Sequence, residues 1–437
     1  MRFRADWNGP KRFFPLLLGF LCGVLSCFSS EDAPTIPESI AGVSDTQIMV
    51  GASLALTGHA SYLGTQSLQG AMSYIRHINE LGGIYGRSIT VIAHDDGYDP
   101  SRCLANTQRL IIQDKVFTLF CYVGTPTTLK IIPVITEARI PVVGMLTGAD
   151  ALRSPVNRYL INVRASYYQE TGAAVGHMVG DLGIDKIAVF YQYDAYGFDG
   201  LRGTELALKQ YGLVPVAKGT YIRGTLAVEK AMASIADSGA EAVVMIGTYD
   251  LCANFITLAK HRGYAPLFYC VSFVGADELA RRLGADGDGV IVSQVVPPPR
   301  QPPDASPLWG IAEYTALLSK YYPESLPNFV GMEGYLNARV LVEGLRRAGR
   351  NLDREGFIDA IESIQHYDAG TGTPLNFGPA DHQGFDRVYF TRIENGKFEL
   401  ITDWRGIPRK AGSMETPFQA LNDEKSGMNG SVQANKP

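Results

Sequence analysis

From Thr46 onward, short apolar runs alternate with longer stretches in which apolar side chains recur every three to four positions. That alternation predicts strands followed by amphipathic helices. Ile48–Leu56 reads as a buried strand, and Ser67–Leu81 as a helix with Leu68, Met72, Ile75 and Ile78 on one face, stopped by Gly82-Gly83. Ser88–His94 is the next strand, and Asp99-Pro100 supplies an N-cap and first-turn proline for a helix to about Asp114. Strand Val116–Val123, helix Pro126–Ala138 and strand Ile140–Met145 follow. The pattern then restarts. Helices Tyr168–Leu182, Gly197–Tyr211, Leu226–Ser238 and Leu251–Arg262 alternate with strands Lys186–Tyr191, Val214–Tyr221, Ala242–Gly247, Leu267–Val271 and Gly289–Val296. Two such arrays in one chain predict an α/β protein of two doubly wound parallel-sheet lobes, with a cleft beyond the carboxyl ends of the strands.

Beyond Val296 the rhythm changes. Pro297-Pro298-Pro299 with Pro302 and Pro303 excludes helix and central strand and marks a crossover. Helices Pro307–Tyr321, Phe329–Ala348 and Arg354–Ile364 come next, then a Gly-rich return at Gly370–Pro379. Strands Arg387–Glu394 and Lys397–Thr402 close as a hairpin on Asn395-Gly396. The stretch from Gly412 is polar without apolar period, and residues 406–437 are expected to be a disordered tail.

The amino end is of another kind. Arg2, Arg4, Lys11 and Arg12 precede the apolar run Phe13–Phe28, and Ser29-Ser30-Glu31-Asp32 follow. This is the layout of a secretory signal over residues 1–30, too short for a comfortable membrane span. Val24-Leu25-Ser26-Cys27 is similar to a lipoprotein signal box with Cys27 as the lipidated residue; cleavage without lipid is the alternative. The expected location is periplasmic or otherwise extracytoplasmic, with membrane contact only through the signal or a lipid anchor.

Composition over the 437 residues is that of an ordinary packed protein, and the net charge of −5 offers no basic stripe for nucleic acid. Beyond Cys22 and Cys27, four cysteines remain, Cys103, Cys121, Cys252 and Cys270, spaced 18 residues apart in each pair. In an oxidising compartment two disulfides, Cys103–Cys121 and Cys252–Cys270, are one reading; buried free thiols are the other. No CxxC or paired-His spacing suits zinc, so neither a metal nor a cofactor is expected.

Catalytic signatures are missing: no GxSxG elbow, phosphate loop, GxGxxG or HExxH occurs. The seven His stand singly. Binding, not catalysis, is the expectation. The strand-end loops say more. Val123-Gly124-Thr125-Pro126-Thr127-Thr128 runs from a strand into a helix whose free N–H groups and positive dipole end suit a carboxylate, with the Thr125 and Thr127 hydroxyls as added donors. A plain threonine N-cap is the alternative. Leu146-Thr147-Gly148-Ala149 is a second such loop, and Tyr62, Tyr196, Tyr249 and Tyr335 recur nearby, each able to stack and to hydrogen-bond or simply to pack.

Residues 45–405 resemble the leucine/isoleucine/valine-binding-protein family of solute receptors for ABC importers. The resemblance rests on Ile48–Gly58 with Tyr62-Leu63-Gly64, on Ile78-Asn79-Glu80-Leu81-Gly82-Gly83-Ile84-Tyr85-Gly86-Arg87, and on Asp95-Asp96-Gly97-Tyr98-Asp99-Pro100. Ile140-Pro141-Val142, Asp194-Ala195-Tyr196-Gly197 and Phe329–Tyr335 extend it. It implies a type I periplasmic-binding fold with crossovers near Val163, Val295 and Phe377. Lobe 1 would then hold residues 45–163 plus 297–377, and lobe 2 residues 164–296 plus 378–405. It implies a ligand carboxylate held at Gly124/Thr125 and Leu146–Gly148, aromatic walls at Tyr62, Tyr196, Tyr249 and Tyr335, and partners in an ABC permease and its ATPase.

One position departs from the family. The loop that carries a carboxylate for the ligand ammonium reads Val271-Ser272-Phe273-Val274-Gly275 here. An unpaired buried ammonium is costly. Either Glu333, Asp194 or Asp250 substitutes, or the ligand is an amide or an organic or aromatic acid. The expected function is a receptor delivering a small carboxylate-bearing metabolite to an importer; the alternative is a ligand sensor reporting to a kinase or regulator.

Overall fold

The structure is a computed structural model that describes residues 40–300 and 308–407. The signal segment with Cys22 and Cys27, the Pro302-Pro303 pair and the tail from residue 408 lie outside the described residues.

The first half runs β1 (Gln47–Leu54), α1 (Ser61–Glu80), β2 (Ser88–Asp95), α2 (Pro100–Ile112), β3 (Thr118–Phe120), α3 (Thr125–Glu137), β4 (Val142–Val143) and β5 (Leu160–Ile161). The second runs α4 (Tyr167–Gly180), β6 (Ile187–Gln192), α5 (Ala195–Lys209), β7 (Lys218–Tyr221), α6 (Glu229–Asp237), β8 (Ala242–Ile246), α7 (Tyr249–His261), β9 (Leu267–Cys270), α8 (Ala276–Leu283) and β10 (Ile291–Gln294). Helices α9 (Trp309–Tyr321), α10 (Phe329–Ala348) and α11 (Arg354–Glu362) and strands β11 (Tyr389–Glu394) and β12 (Lys397–Leu400) complete it.

Two sheets result. One has the order β2-β1-β3-β4-β5, the other β12-β11-β10-β9-β8-β6-β7. All pairings in the first are parallel; the second is parallel except where β11 meets β10 and β12. Strand β8 is buried along its whole length, which explains its unbroken apolar sequence Ala-Val-Val-Met-Ile. The chain passes from the first sheet to the second after Ile161, leaves it after Gln294, and re-enters it at Tyr389. Helices α9–α11 are built onto the first sheet's side through α1 and α10.

Alternation located most elements, and the departures have local causes. Helix α1 starts at Ser61, not Ser67, so Tyr62-Leu63-Gly64 is helical. Its early turn hides behind Gly64, where a Cβ would lie 1.8 Å from the Ala55 carbonyl oxygen. Helix α8 escaped notice because it has only eight residues, but Asp277 and Glu278 in its first turn and Arg281 and Arg282 in its last match the helix dipole. Strand β5 is two residues long, too short for any period to register.

The cysteines follow the second of the two readings: all four are buried free thiols, and neither the Cys103–Cys121 nor the Cys252–Cys270 bridge is present. Cys121 turns toward Ser67 of α1, its Sγ 2.9 Å from the hydroxyl, while Cys103 on α2 faces Asp96 and Thr107. The sheet separates them. Cys252 and Cys270 do stand thiol beside thiol, and burial, then this neighbour, pushes the Cys252 thiol well up.

Candidate functional site

Where β3 ends, the backbone turns sharply. Gly124 has φ +97°, and a Cβ there would fall 2.1 Å from the Tyr98 ring, so only glycine lets that ring settle on the turn. Helix α3 starts at the next residue with no side chain capping it. Thr125 and the Thr147 hydroxyl from the loop after β4 share a 2.7 Å hydrogen bond, both side chains buried. Thr127 is spent otherwise, donating to the Gly124 carbonyl at 2.8 Å. The Leu146 backbone is committed too: its N–H donates to Tyr122 and its carbonyl accepts from Gly124.

Gly148 gives this pair a lid. A Cβ on Gly148 would lie 2.7 Å from the Tyr167 ring, and its carbonyl accepts the Tyr167 N–H at 2.7 Å. The Tyr167 hydroxyl is buried without a hydrogen-bond partner. Tyr167 opens α4, in the first crossing between sheets, and was not singled out from sequence. From it a row of rings runs through the gap: Tyr196 at 5.3 Å, then Phe273 at 4.8 Å, then Tyr98 at 5.9 Å, then His59 at 5.7 Å. Tyr98 and Phe273 follow strands of different sheets, so the carboxyl ends of the two sheets face one another here.

Other expected aromatics are dispersed. Tyr62 and Tyr249 meet edge to face at 6.1 Å, the Tyr62 N–H donating to the Tyr249 hydroxyl at 3.4 Å, so they join the two halves beside Gly275. Tyr335 lies elsewhere. Its ring packs on Tyr74 and Tyr314, and its hydroxyl donates to Glu313 next to Arg339.

A buried charged cluster centres on Arg164, which the sequence reading passed over. Its guanidinium donates to Glu170 at 2.7 Å and to the Ser272 hydroxyl, and its Nη1 stands 3.2 Å from the Glu333 carboxylate. Glu170 also accepts from the Ser272 N–H (2.8 Å), the Ser272 hydroxyl (3.0 Å) and the Ser293 hydroxyl (2.5 Å). Ser272 therefore serves Glu170. Burial opposes charge on Arg164, but Glu333 and Glu170 outweigh it and hold the guanidinium a cation. Among the described residues Glu333 has only Arg164 as a partner; burial pushes its carboxyl up to about 7, with Arg164 pulling the other way. The hint in the sequence was two charges six residues apart in the stretch 160–175, which holds no other charged residue.

The remaining acids also face cations. Asp250 pairs with Arg282. Asp194 caps α5 through the Tyr196 N–H at 3.0 Å, accepts from Gln192 at 2.6 Å and lies 3.8 Å from Arg223. Asp95 and Asp96 are turn residues: Asp95 accepts from Leu56, Thr57 and Gly97, and Asp96 from Ser53 and Tyr98. Among the described residues no His, Cys, Asp and Glu cluster has the arrangement of a metal site.

The profile of the periplasmic binding protein family matches residues 47–397, most of the chain. The chain belongs to that family. It is a type I periplasmic binding protein of the leucine/isoleucine/valine-binding-protein kind, a family of extracytoplasmic substrate-binding proteins and not of enzymes. A "Leu/Ile/Val-binding protein homolog 7" of Brucella abortus is 25% identical over 350 residues, covering 77% of this chain and 86% of that one. The crystal structure of a possible leucine/isoleucine/valine-binding protein from Rhodopirellula baltica is 33% identical, with a TM-score of 0.78 over 85% of this chain and 99% of that one. A branched-chain amino acid ABC transporter structure from Thermus thermophilus with bound valine shares the fold, with a TM-score of 0.75 at 21% identity over 83% and 97% of the chains. Among the described residues no helix is long and apolar enough to cross a membrane.

Proposed function

We propose that this periplasmic binding protein is the extracytoplasmic receptor of an ABC importer, taking a small carboxylate-bearing metabolite between its two lobes and presenting it to a permease driven by an ATPase. The lobes in this reading are residues 45–163 plus 297–377 and residues 164–296 plus 378–405. The observation that carries it is the Thr125–Thr147 hydroxyl pair at the uncapped start of α3, opposite the unpartnered Tyr167 hydroxyl. Three hydroxyls and a positive dipole end converge there, a set that suits a carboxylate. Gly124, Leu146 and Gly148 shape the turns that bring them together, Tyr196 supplies an aromatic wall, and Tyr62 and Tyr249 close the rim. Ser272 acts through Glu170, and Glu333, whose partner is Arg164, is the candidate counter-charge for a ligand ammonium. The ligand class spans branched-chain amino acids, amides and organic or aromatic acids.

Calorimetric titration with leucine and with its 2-oxo and desamino analogues tests this. Micromolar or tighter binding of at least one, weakened about 10- to 100-fold in Thr125→Val, is expected, since a hydrogen bond to a charged group contributes about 1.5–3 kcal/mol. A variant that binds as tightly as the parent would sink the carboxylate assignment. Preference for leucine over its desamino analogue, abolished by Glu333→Gln, would place the ammonium at Glu333.

A further inference from the structure

Buried polar atoms without partners are rare in folded proteins, because each leaves a desolvated donor or acceptor unsatisfied. Three of them, toward the Tyr98 end of the ring row, make no hydrogen bond: His59 Nε2, Thr248 Oγ1, linked to Tyr98 through Tyr221 and Gln192, and Arg223 Nη1, which among the described residues has only the Asp194 carboxylate at 3.8 Å. They come from three segments and both halves of the molecule. His59 precedes α1, Arg223 follows β7, and Thr248 opens α7. The His59 ring lies 5.7 Å from the Tyr98 ring, and the Arg223 guanidinium lies 5.3 Å from the same ring. Thr248 is wholly buried and occupies the N-cap position of α7, where a threonine hydroxyl ordinarily accepts from the first-turn N–H groups. It makes no such bond. Its backbone N–H is fixed instead by the Tyr221 hydroxyl at 3.2 Å, which donates in turn to Gln192 at 3.0 Å. Gln192 reaches Asp194 at 2.6 Å, the acid beside Arg223. The scaffold is thus hydrogen-bonded while three of its polar atoms make no hydrogen bond, Arg223 Nη1 facing Asp194 only at ion-pair distance.

We propose that these three residues form a second polar subsite, which takes a neutral group able both to donate and to accept, a hydroxyl or a carboxamide, at the ligand end opposite its carboxylate. The inference rests on the carboxylate reading above. Arg223 is a donor only, a threonine hydroxyl is donor and acceptor, and a neutral imidazole nitrogen is one or the other. Burial, and next Arg223, lower the His59 pKa and so favour the neutral ring, with Asp250 and Asp194 pulling the other way. Asp194 already faces Arg223, so the subsite carries no net charge to draw a second carboxylate. A site built to hydrogen-bond a substrate hydroxyl discriminates strongly against the analogue that lacks it.

Three pairs of ligands differing at the far end test this by calorimetric titration: phenylacetate and 4-hydroxyphenylacetate, phenylalanine and tyrosine, norvaline and glutamine. In the native protein the substituted member of at least one pair is expected to bind at least about tenfold more tightly. In Arg223→Met and in Thr248→Val that ratio falls toward one; thermal melts confirm that the variants are folded, and either variant suffices. Equal affinities within every pair, or a preference that survives both variants, would overturn the subsite. So would absence of binding across the whole panel. If pairs bind without preference but Thr125→Val still weakens them, the carboxylate reading stands and the second subsite alone fails. If the ratio responds to Arg223→Met while Thr125→Val changes nothing, the carboxylate end is misplaced and the second subsite stands.

Discussion

At the scale of single residues, Glu170 shows how an unremarkable letter becomes a structural keystone. Four hydrogen bonds converge on its carboxylate, and it is the closer counter-charge of a guanidinium taken wholly out of water. Removing one member of such a pair leaves an uncompensated buried charge. Glu170→Gln is therefore expected to lower stability by about 3 kcal/mol, read from the denaturant midpoint, with Arg164 retaining only Glu333. The six-residue spacing of Arg164 and Glu170 hinted at little of this, since their partners Ser272, Ser293 and Glu333 lie a hundred or more residues away in sequence and meet them only in the fold. Thr125 and Thr147 were legible because strand-end loops ahead of helices are few and chemically recognisable. Glu333 and Tyr335 were both nominated, although residues two apart on a helix point to nearly opposite sides. Geometry puts Glu333 beside Arg164 and Tyr335 against Tyr74.

At the scale of elements, the crossing of α1 with α10 decides where Glu333 goes. A Cβ on Gly70 would lie 1.8 Å from the Gly331 carbonyl oxygen, and one on Gly334 would lie 2.0 Å from that of Ser67. The two helix backbones touch. Gly334→Ala forces them apart, and overpacking of this kind costs about 3 kcal/mol or more; a melting midpoint lower by about 5 °C or more is the expected reading. The helices themselves were plain from their apolar period, but glycines inside them read as blemishes, since a lone glycine does not reveal which backbone needs its space. The same applies to α1, whose start was concealed by Gly64. Strand β5 and helix α8 lay below the length at which periodicity carries information.

At the scale of the whole molecule, two carboxylates of one half sit on backbone N–H groups of the other. Asp277 in α8 accepts from the Phe329 N–H at 3.1 Å, at the start of α10. Asp199 in α5 accepts from the Asp150 N–H at 3.1 Å, at the first residue of a short helical turn. Burial is the main cause that pushes Asp277 up to about 6 and Asp199 up to about 7; Arg300 opposes it at the first, and Asp150 N–H and Arg153 oppose it at the second, where the Asp150 charge adds to it. Acids whose pKa is raised by contact bind protons more tightly in the joined form. Joining therefore takes up protons, is strongest below about pH 4, and weakens as pH rises through 6 to 7. X-ray scattering of the ligand-free protein is expected to show expansion from pH 5 to pH 8, and a flatter response in the Asp199→Asn, Asp277→Asn double variant. A larger expansion at the acid end would contradict this.

The order of strands in the second sheet also sets an order of events. Ile291–Gln294 is flanked by Leu267–Cys270 on one side and by Tyr389–Glu394 on the other. A chain emerging from its amino end offers the first partner early and the second only after α9, α10 and α11 have passed. Until then one margin of β10 has open N–H and carbonyl groups, the condition in which strands of different molecules pair. The nascent protein thus carries an adhesive seam that its own last hairpin seals, and any truncation that removes that hairpin leaves the seam permanently open.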